Sequence, residues 1–164
     1  MNFSLHKDFS ELDSKAWNDL LLESITDVPF LRYEYLSAWW NTRGGGEWPH
    51  SELILISATE EGRLLGIAPL FRAEHEGEEK LLLLGSIEIS DYLDLIVRAV
   101  DLSRFLSGLL EFCATDPAIA PSRFDWYNLP DNSPTLSALE SESTRQGWDF
   151  KKEPFRPALA VPLP

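Results

Sequence analysis

Asp91 and Asp94 bracket Tyr92 and Leu93 in the stretch Ser90-Asp91-Tyr92-Leu93-Asp94. Carboxylates beside a cleft can act as a general base or grip a substrate amine when burial raises the pKa of one of them. A tyrosine hydroxyl between them can donate a hydrogen bond to a bound carbonyl. Asp91, Tyr92 and Asp94 are therefore the candidate catalytic residues. The same pattern also suits a turn in which Asp91 bonds its own backbone, Asp94 opens a strand facing solvent and Tyr92 joins the core. Trp40 and Trp48 are the candidate substrate-binding residues. Trp39 and Trp40 point in different directions on a helix, so one enters the core and the other can stack on a sugar face or pack beneath the meander. Trp48 and His50 follow on a loop, where an exposed aromatic favours binding.

Other chemistries lack their residues. His6, His50 and His75 are scattered, Cys113 falls on an apolar helix face, and no spacing matches a zinc site, so no metal is expected. Glu74-His75-Glu76 reads as an acidic hairpin tip. No Gly-x-Ser-x-Gly elbow supports a hydrolase. Gly44-Gly45-Gly46 follows a helix instead of bridging a strand to one, which makes it a flexible connection and not a phosphate cradle.

Periodicity gives the strands and helices around these residues. Phe3 to Leu5 reads as a strand. Asp13 or Ser14 caps a helix carrying Trp17, Leu20, Leu21 and Ile25, which Pro29 ends. A second helix runs from Arg32 to Thr42. Strands follow at Leu53 to Ala58 and Arg63 to Ala73, the latter interrupted by Pro69, which predicts a bulge or an edge. Leu81 to Leu84 reads as a strand buried on both faces, and Leu93 to Val97 as another. Leu102, Phe105, Leu106, Leu109, Leu110 and Cys113 keep helical spacing behind Asp101 as cap. Phe124 to Leu129 is the next strand, and Ser133-Pro134 starts a helix that Gly147 stops. Trp148 to Lys152 and Ala158 to Val161 complete the set as closing strands. The order β-α-α-β-β-β-(β)-α-β-α-β-β predicts an α/β (α+β) fold in one domain over 1–164, a mixed, mostly antiparallel sheet flanked by helices.

Composition narrows the partners. Twenty-seven acidic against fourteen basic residues give a net charge of −13, a field that repels phosphate backbones and anionic lipid. No nucleic acid and no membrane insertion are expected, since no apolar run approaches the ~20 residues of a span. A single cysteine and a start without a basic-then-apolar leader fit a cytoplasmic protein.

The element order resembles the GNAT acyltransferase fold. The stretches Pro29-Phe30-Leu31 into Ala38-Trp39-Trp40, Gly66-Ile67-Ala68-Pro69-Leu70, Leu84-Gly85 and Ser90 to Asp94 narrow the likeness to the CelD/BcsL group, which looks FemAB-like with two GNAT-like lobes. The resemblance spans residues 15 to 130 and implies the N-terminal lobe of a longer protein. Members are typically double this length, and the abrupt apolar end Val161-Pro162-Leu163-Pro164, with no polar tail, suggests either a piece cut from a longer chain or a half-length gene. It implies transfer of an acyl or aminoacyl group to a small-molecule or saccharide acceptor, on a polysaccharide or cell-envelope precursor. GNAT enzymes hold acyl-CoA pyrophosphate in a turn written Gln/Arg-x-x-Gly-x-Gly/Ala. The matching segment, Arg98 to Arg104, has no glycine and carries Asp101, so no cofactor is expected on this lobe, and acetyl-CoA is left to the full-length protein. Two rivals stand beside this reading: a degenerate, non-catalytic GNAT module for protein interaction or ligand sensing, and a single-lobe acetyltransferase with an unusual pyrophosphate loop.

Overall fold

The computed structural model describes residues 1–85, 87–119 and 123–154. In chain order the elements are β1 (Asn2–His6), α1 (Ser14–Leu22), α2 (Tyr33–Thr42), β2 (Ser51–Glu60), β3 (Arg63–His75), β4 (Glu78–Leu83), β5 (Ile96–Val97), α3 (Leu102–Thr115), β6 (Arg123–Phe124) and α4 (Pro134–Gln146). Short 3-10 turns at Phe9–Glu11 and Pro29–Leu31 join the first segments. The fold is mixed α+β, an open, mostly antiparallel sheet with four helices among the described residues.

Strands pair in the order β1-β2-β3-β4-β6, with β5 also on β3. All pairs are antiparallel except β4 with β6, which is parallel and is reached through α3. Side chains alternate between faces along a strand, so residues five apart on β3 point to opposite sides. Gly66 lies under Phe105 of α3, and a Cβ there would sit 2.5 Å from the Phe105 ring. Phe71 instead meets Trp39 at 5.3 Å and Trp48 at 5.2 Å between ring centroids. Hence α2 and α3 cover opposite faces, and the core is continuous through the sheet.

Pro69 sets the most consequential irregularity. It stands inside β3, in register with Leu55 of β2, and the register shift in that ladder lies elsewhere, at Ala58/Thr59. Its carbonyl accepts from Leu84 N–H at 2.8 Å. In an antiparallel strand the N–H and C=O of one residue face the same neighbour, so the donor that proline lacks belongs to the β4 side. There the ladder breaks. β4 pairs Leu70 to His75, β5 pairs Gly66 and Ile67, and between them the chain departs from β3 after Leu84 and returns at Ile96.

The later strands are shorter than periodicity predicts. Leu93 to Val97 contracts to Ile96–Val97, and Phe124 to Leu129 to Arg123–Phe124. Trp148 to Lys152 is not a strand: Trp148 stacks on Phe124 at 5.5 Å, and Lys151 and Lys152 are exposed without ladder partners. The alternation there reflects one anchored ring followed by solvated residues. Ala158 to Val161 lies outside the described residues. Asp101 occupies the cap position of α3 but makes no cap bond, because its carboxylate turns to Arg104 Nη2 at 3.1 Å.

Candidate functional site

The excursion between Leu84 and Ile96 is fastened at several points along residues 87–95. Asn128 donates from its amide to the carbonyls of Ser90 at 2.7 Å and Ile87 at 3.2 Å, and its own carbonyl accepts from Leu93 N–H at 3.0 Å. Tyr35 Oη lies 2.8 Å from Ser90 Oγ and donates to the carbonyl of Ile89 at 3.0 Å. Tyr92 is held at φ 56° and Asn128 at φ 61°. Asparagine tolerates that left-handed region, whereas an aromatic residue adopts it at a cost of about 1–2 kcal/mol. Such a conformation persists where the surroundings over-determine it, and the bonds to Asn128 and Tyr35 do so here.

Asp91 and Tyr92 stand together on the outside of this loop. Asp91 is exposed and its carboxylate has no partner among the described residues, while Tyr92 is 37% exposed. Neither is core.

Asp94 is placed differently from its neighbours. It is wholly buried. Its Oδ1 accepts from Leu95 N–H at 2.8 Å and Thr135 Oγ1 at 2.6 Å, and its Oδ2 accepts from Thr26 Oγ1 at 2.8 Å and Ser133 Oγ at 2.6 Å. Four donors occupy the carboxylate and leave neither oxygen open to a ligand. Ser133 is also the cap of α4, accepting from Thr135 N–H at 3.1 Å. Asp94 thus ties the segment after α1, the start of β5 and the first turn of α4 into one knot. A negative group at a helix N-terminus also suits the helix dipole.

The two predicted tryptophans separate as well. Trp48 is only 6% exposed, packed edge-on to Phe71 and 5.5 Å from His75, so it is core and not an exposed loop aromatic. Gly44 permits this packing, since a Cβ there would fall 2.9 Å from Trp39 and 3.1 Å from Trp48. Trp39 is the buried member of its pair. Trp40 is half-buried, and the Arg43 guanidinium lies 3.5 Å from its ring centroid, already covering one aromatic face with a cation.

A second cluster assembles on the α2 side from residues far apart in sequence. His75, Glu76 and Asp125 bring ligand atoms within 4.8 Å of one another. Lys80 Nζ lies between the two carboxylates, 2.8 Å from Glu76 Oε2 and 2.8 Å from Asp125 Oδ2. Burial disfavours its charge, but Asp125 and Glu76 outweigh that and hold the ammonium above its ordinary pKa. The same contact holds the Glu76 carboxyl below its ordinary value. The position a metal would take therefore belongs to an internal cation. Tyr127 Oη lies 3.1 Å from His75 Nε2, and burial, with Asp125 and Glu76 nearby, pushes its phenol upward. Of these residues only those of the Glu74-His75-Glu76 tip stand together in the sequence; Asp125 and Tyr127 lie some fifty residues on. Only the parallel pairing of Lys80 with Arg123 brings them there.

At the N-terminus of α3, where an anion would meet free N–H groups, Asp101 puts a carboxylate. Arg98 is engaged by Glu23, and Arg104 by Glu60 at 3.1 Å as well as by Asp101. No helix among the described residues is long and apolar enough to cross a membrane. Comparison of the chain with family models, with curated proteins and with solved structures returns no match.

Proposed function

We propose that the chain is the acceptor-side lobe of a GNAT-like acyltransferase of the CelD/BcsL, FemAB-like type. The observation that carries this reading is the ladder break at Pro69, from which a fastened loop presents Asp91 and Tyr92 to solvent. An antiparallel meander followed by a helical crossover into a parallel strand is what supports the reading at the level of the fold. In this reading Asp91 accepts a hydrogen bond from the acceptor amine or hydroxyl, and Tyr92 donates to a carbonyl beside it. Asp94 is a positioning residue that holds the loop to α4. Trp40, with its attached Arg43, offers a flat surface for a saccharide. A second lobe, in the same or a partner chain, supplies the acyl-CoA, and the acceptor is a polysaccharide or a cell-envelope precursor.

The test is titration of the chain with amino-sugar oligosaccharides, followed by backbone amide NMR. Saturable shifts confined to residues 87–95 and 128 are expected, lost in Asp91→Asn with the fold intact. Shifts scattered over the acidic surface would sink the reading. Acetyl-CoA in the same titration should give no saturable response, and a response at the start of α3 would transfer the donor site to this chain. The arrangement of Asp101 favours one rival, a non-catalytic module whose acidic surface meets a basic partner. Salt-sensitive binding of a polycation without any amino-sugar response is its signature.

A further inference from the structure

β1 is the outer strand of the sheet, paired only with β2 among the described residues. Edge strands normally carry charges, proline or a bulge that deter further pairing. β1 carries no lysine, arginine, carboxylate, proline or bulge: it reads Asn2-Phe3-Ser4-Leu5-His6, in unbroken register with β2. Beside it runs an open groove of about 650 Å³ between the strand and α3. Phe3 lies across Gly108, where a Cβ would meet its ring at 2.4 Å, and stacks on Phe105 and Phe112 at 5.8 Å each. The centre of the strand therefore lies against the centre of the helix.

The charges along this groove are arranged about that same centre. Arg104 and Glu111 line it seven residues apart, two helical turns on one face, with Ser107 and Gly108 midway. Glu111 makes no ion pair among the described residues. A two-fold axis through the midpoint would bring each arginine opposite a glutamate. β1 has the matching property, since antiparallel pairing about Ser4 sets Phe3 opposite Leu5 on the α3 face. A surface complementary to itself under one rotation is the mark of an isologous interface.

We propose that β1 pairs antiparallel with β1 of a second copy of this chain about a two-fold axis near Ser4 and Gly108. The sheet then runs unbroken across both copies, and Arg104 faces Glu111 of the partner subunit. The axis is perpendicular to the sheet, so both copies of α3 lie antiparallel on one face of it.

Sedimentation of the chain tests this. A mass twice the 18.6 kDa of one chain is expected at micromolar concentration. Ser4→Lys sets two like charges at the axis and Glu111→Arg sets arginine against arginine, so both should sediment as monomers with unchanged circular dichroism. Ser4→Cys should oxidise to a covalent dimer, because directly opposed positions bring their Cα atoms to about 4.5–5.5 Å, within the span of a disulfide, whereas Ser137→Cys should not. Cys113 is buried and does not compete. A wild-type monomer would overturn the proposal, including one that takes up an extended peptide along β1. A dimer that survives both charge variants and leaves Ser4→Cys uncrosslinked would overturn it equally.

Discussion

Two neighbouring residues in the candidate loop carry opposite energetics. Asp94 has no exposed atoms and four donors, three of them hydroxyls with their acceptor inside the protein. Asp94→Ala leaves those donors in a site too closed for water to serve all of them. Each buried unsatisfied group costs about 1–3 kcal/mol, so a loss of about 3 kcal/mol or more is expected in urea unfolding. Tyr92 is half-exposed and its backbone is strained. In Tyr92→Gly the relieved strain of about 1 kcal/mol is offset by added unfolded-state entropy of similar size. Stability within about 1 kcal/mol of wild type is expected, with the amino-sugar response gone. A large destabilisation would mean that the Tyr92 ring supports the fold. The Asp91–Asp94 spacing was legible in sequence, but the division of labour was not. Which aspartate turns inward depends on Ser133 and Thr135, some forty residues away, and no local pattern reveals that. Trp48 escaped for the same reason, since its loop position concealed a pocket formed by Phe71 and His75.

At the scale of elements, the helices and the meander were readable because their signals are local: apolar spacing, Asp13 and Ser133 as caps, and Gly147 as stop. The short strands were not, because two-residue pairings such as Ile96–Val97 depend on what Pro69 denies to β4. Pro69 predicts a bulge or an edge, and the structure gives a third outcome, an interior strand whose neighbour departs. The junction of β1 and α3 gives a sharper test of packing against propensity. Gly108→Ala gains about 1 kcal/mol of helix propensity but drives a methyl group into Phe3 at 2.4 Å, and overpacking costs about 1–3 kcal/mol. A net loss in thermal stability is expected. In a Phe3→Leu background the clash shrinks and the same substitution should turn neutral or stabilising. No change of sign would mean that the glycine is not there to accommodate the ring. The Lys80 cluster adds a pH signature. The lowered Glu76 carboxyl contributes stability present above its ordinary pKa and lost as pH falls through the folded value. The raised Lys80 ammonium contributes stability present below its ordinary pKa and lost as pH rises through the folded value. Lys80→Met should therefore lose most stability on the plateau between those limits, seen as a flatter profile of unfolding midpoint against pH.

For the whole molecule, net charge and self-association pull against each other, and their relative size decides the sign of a salt effect. Each copy carries −13, and bringing two such bodies together is opposed by a repulsion that mobile ions screen over about 8–10 Å near physiological ionic strength. Against this stand two symmetry-related Arg104–Glu111 pairs at the rim of the proposed interface, where an exposed ion pair contributes about 0–1 kcal/mol and is itself weakened by salt. Arg104 also divides its donors among Glu60 and Asp101, which reduces what a further carboxylate can add. Strand pairing and the contact of Phe3 with Leu5 are insensitive to ionic strength to first order, so they set the baseline and not the slope. The repulsion is the larger charge term, and dimerisation should strengthen as sodium chloride rises from low to physiological concentration. The melting temperature of each copy should rise with it, since the compact state concentrates the same excess of acid. Sedimentation and thermal melts over a salt series, with Glu111→Arg as a monomeric reference, separate the two effects. The reference should gain thermal stability with salt and remain a monomer. Dissociation of the wild type by salt would show that specific ion pairs outweigh the overall field and govern the contact between copies.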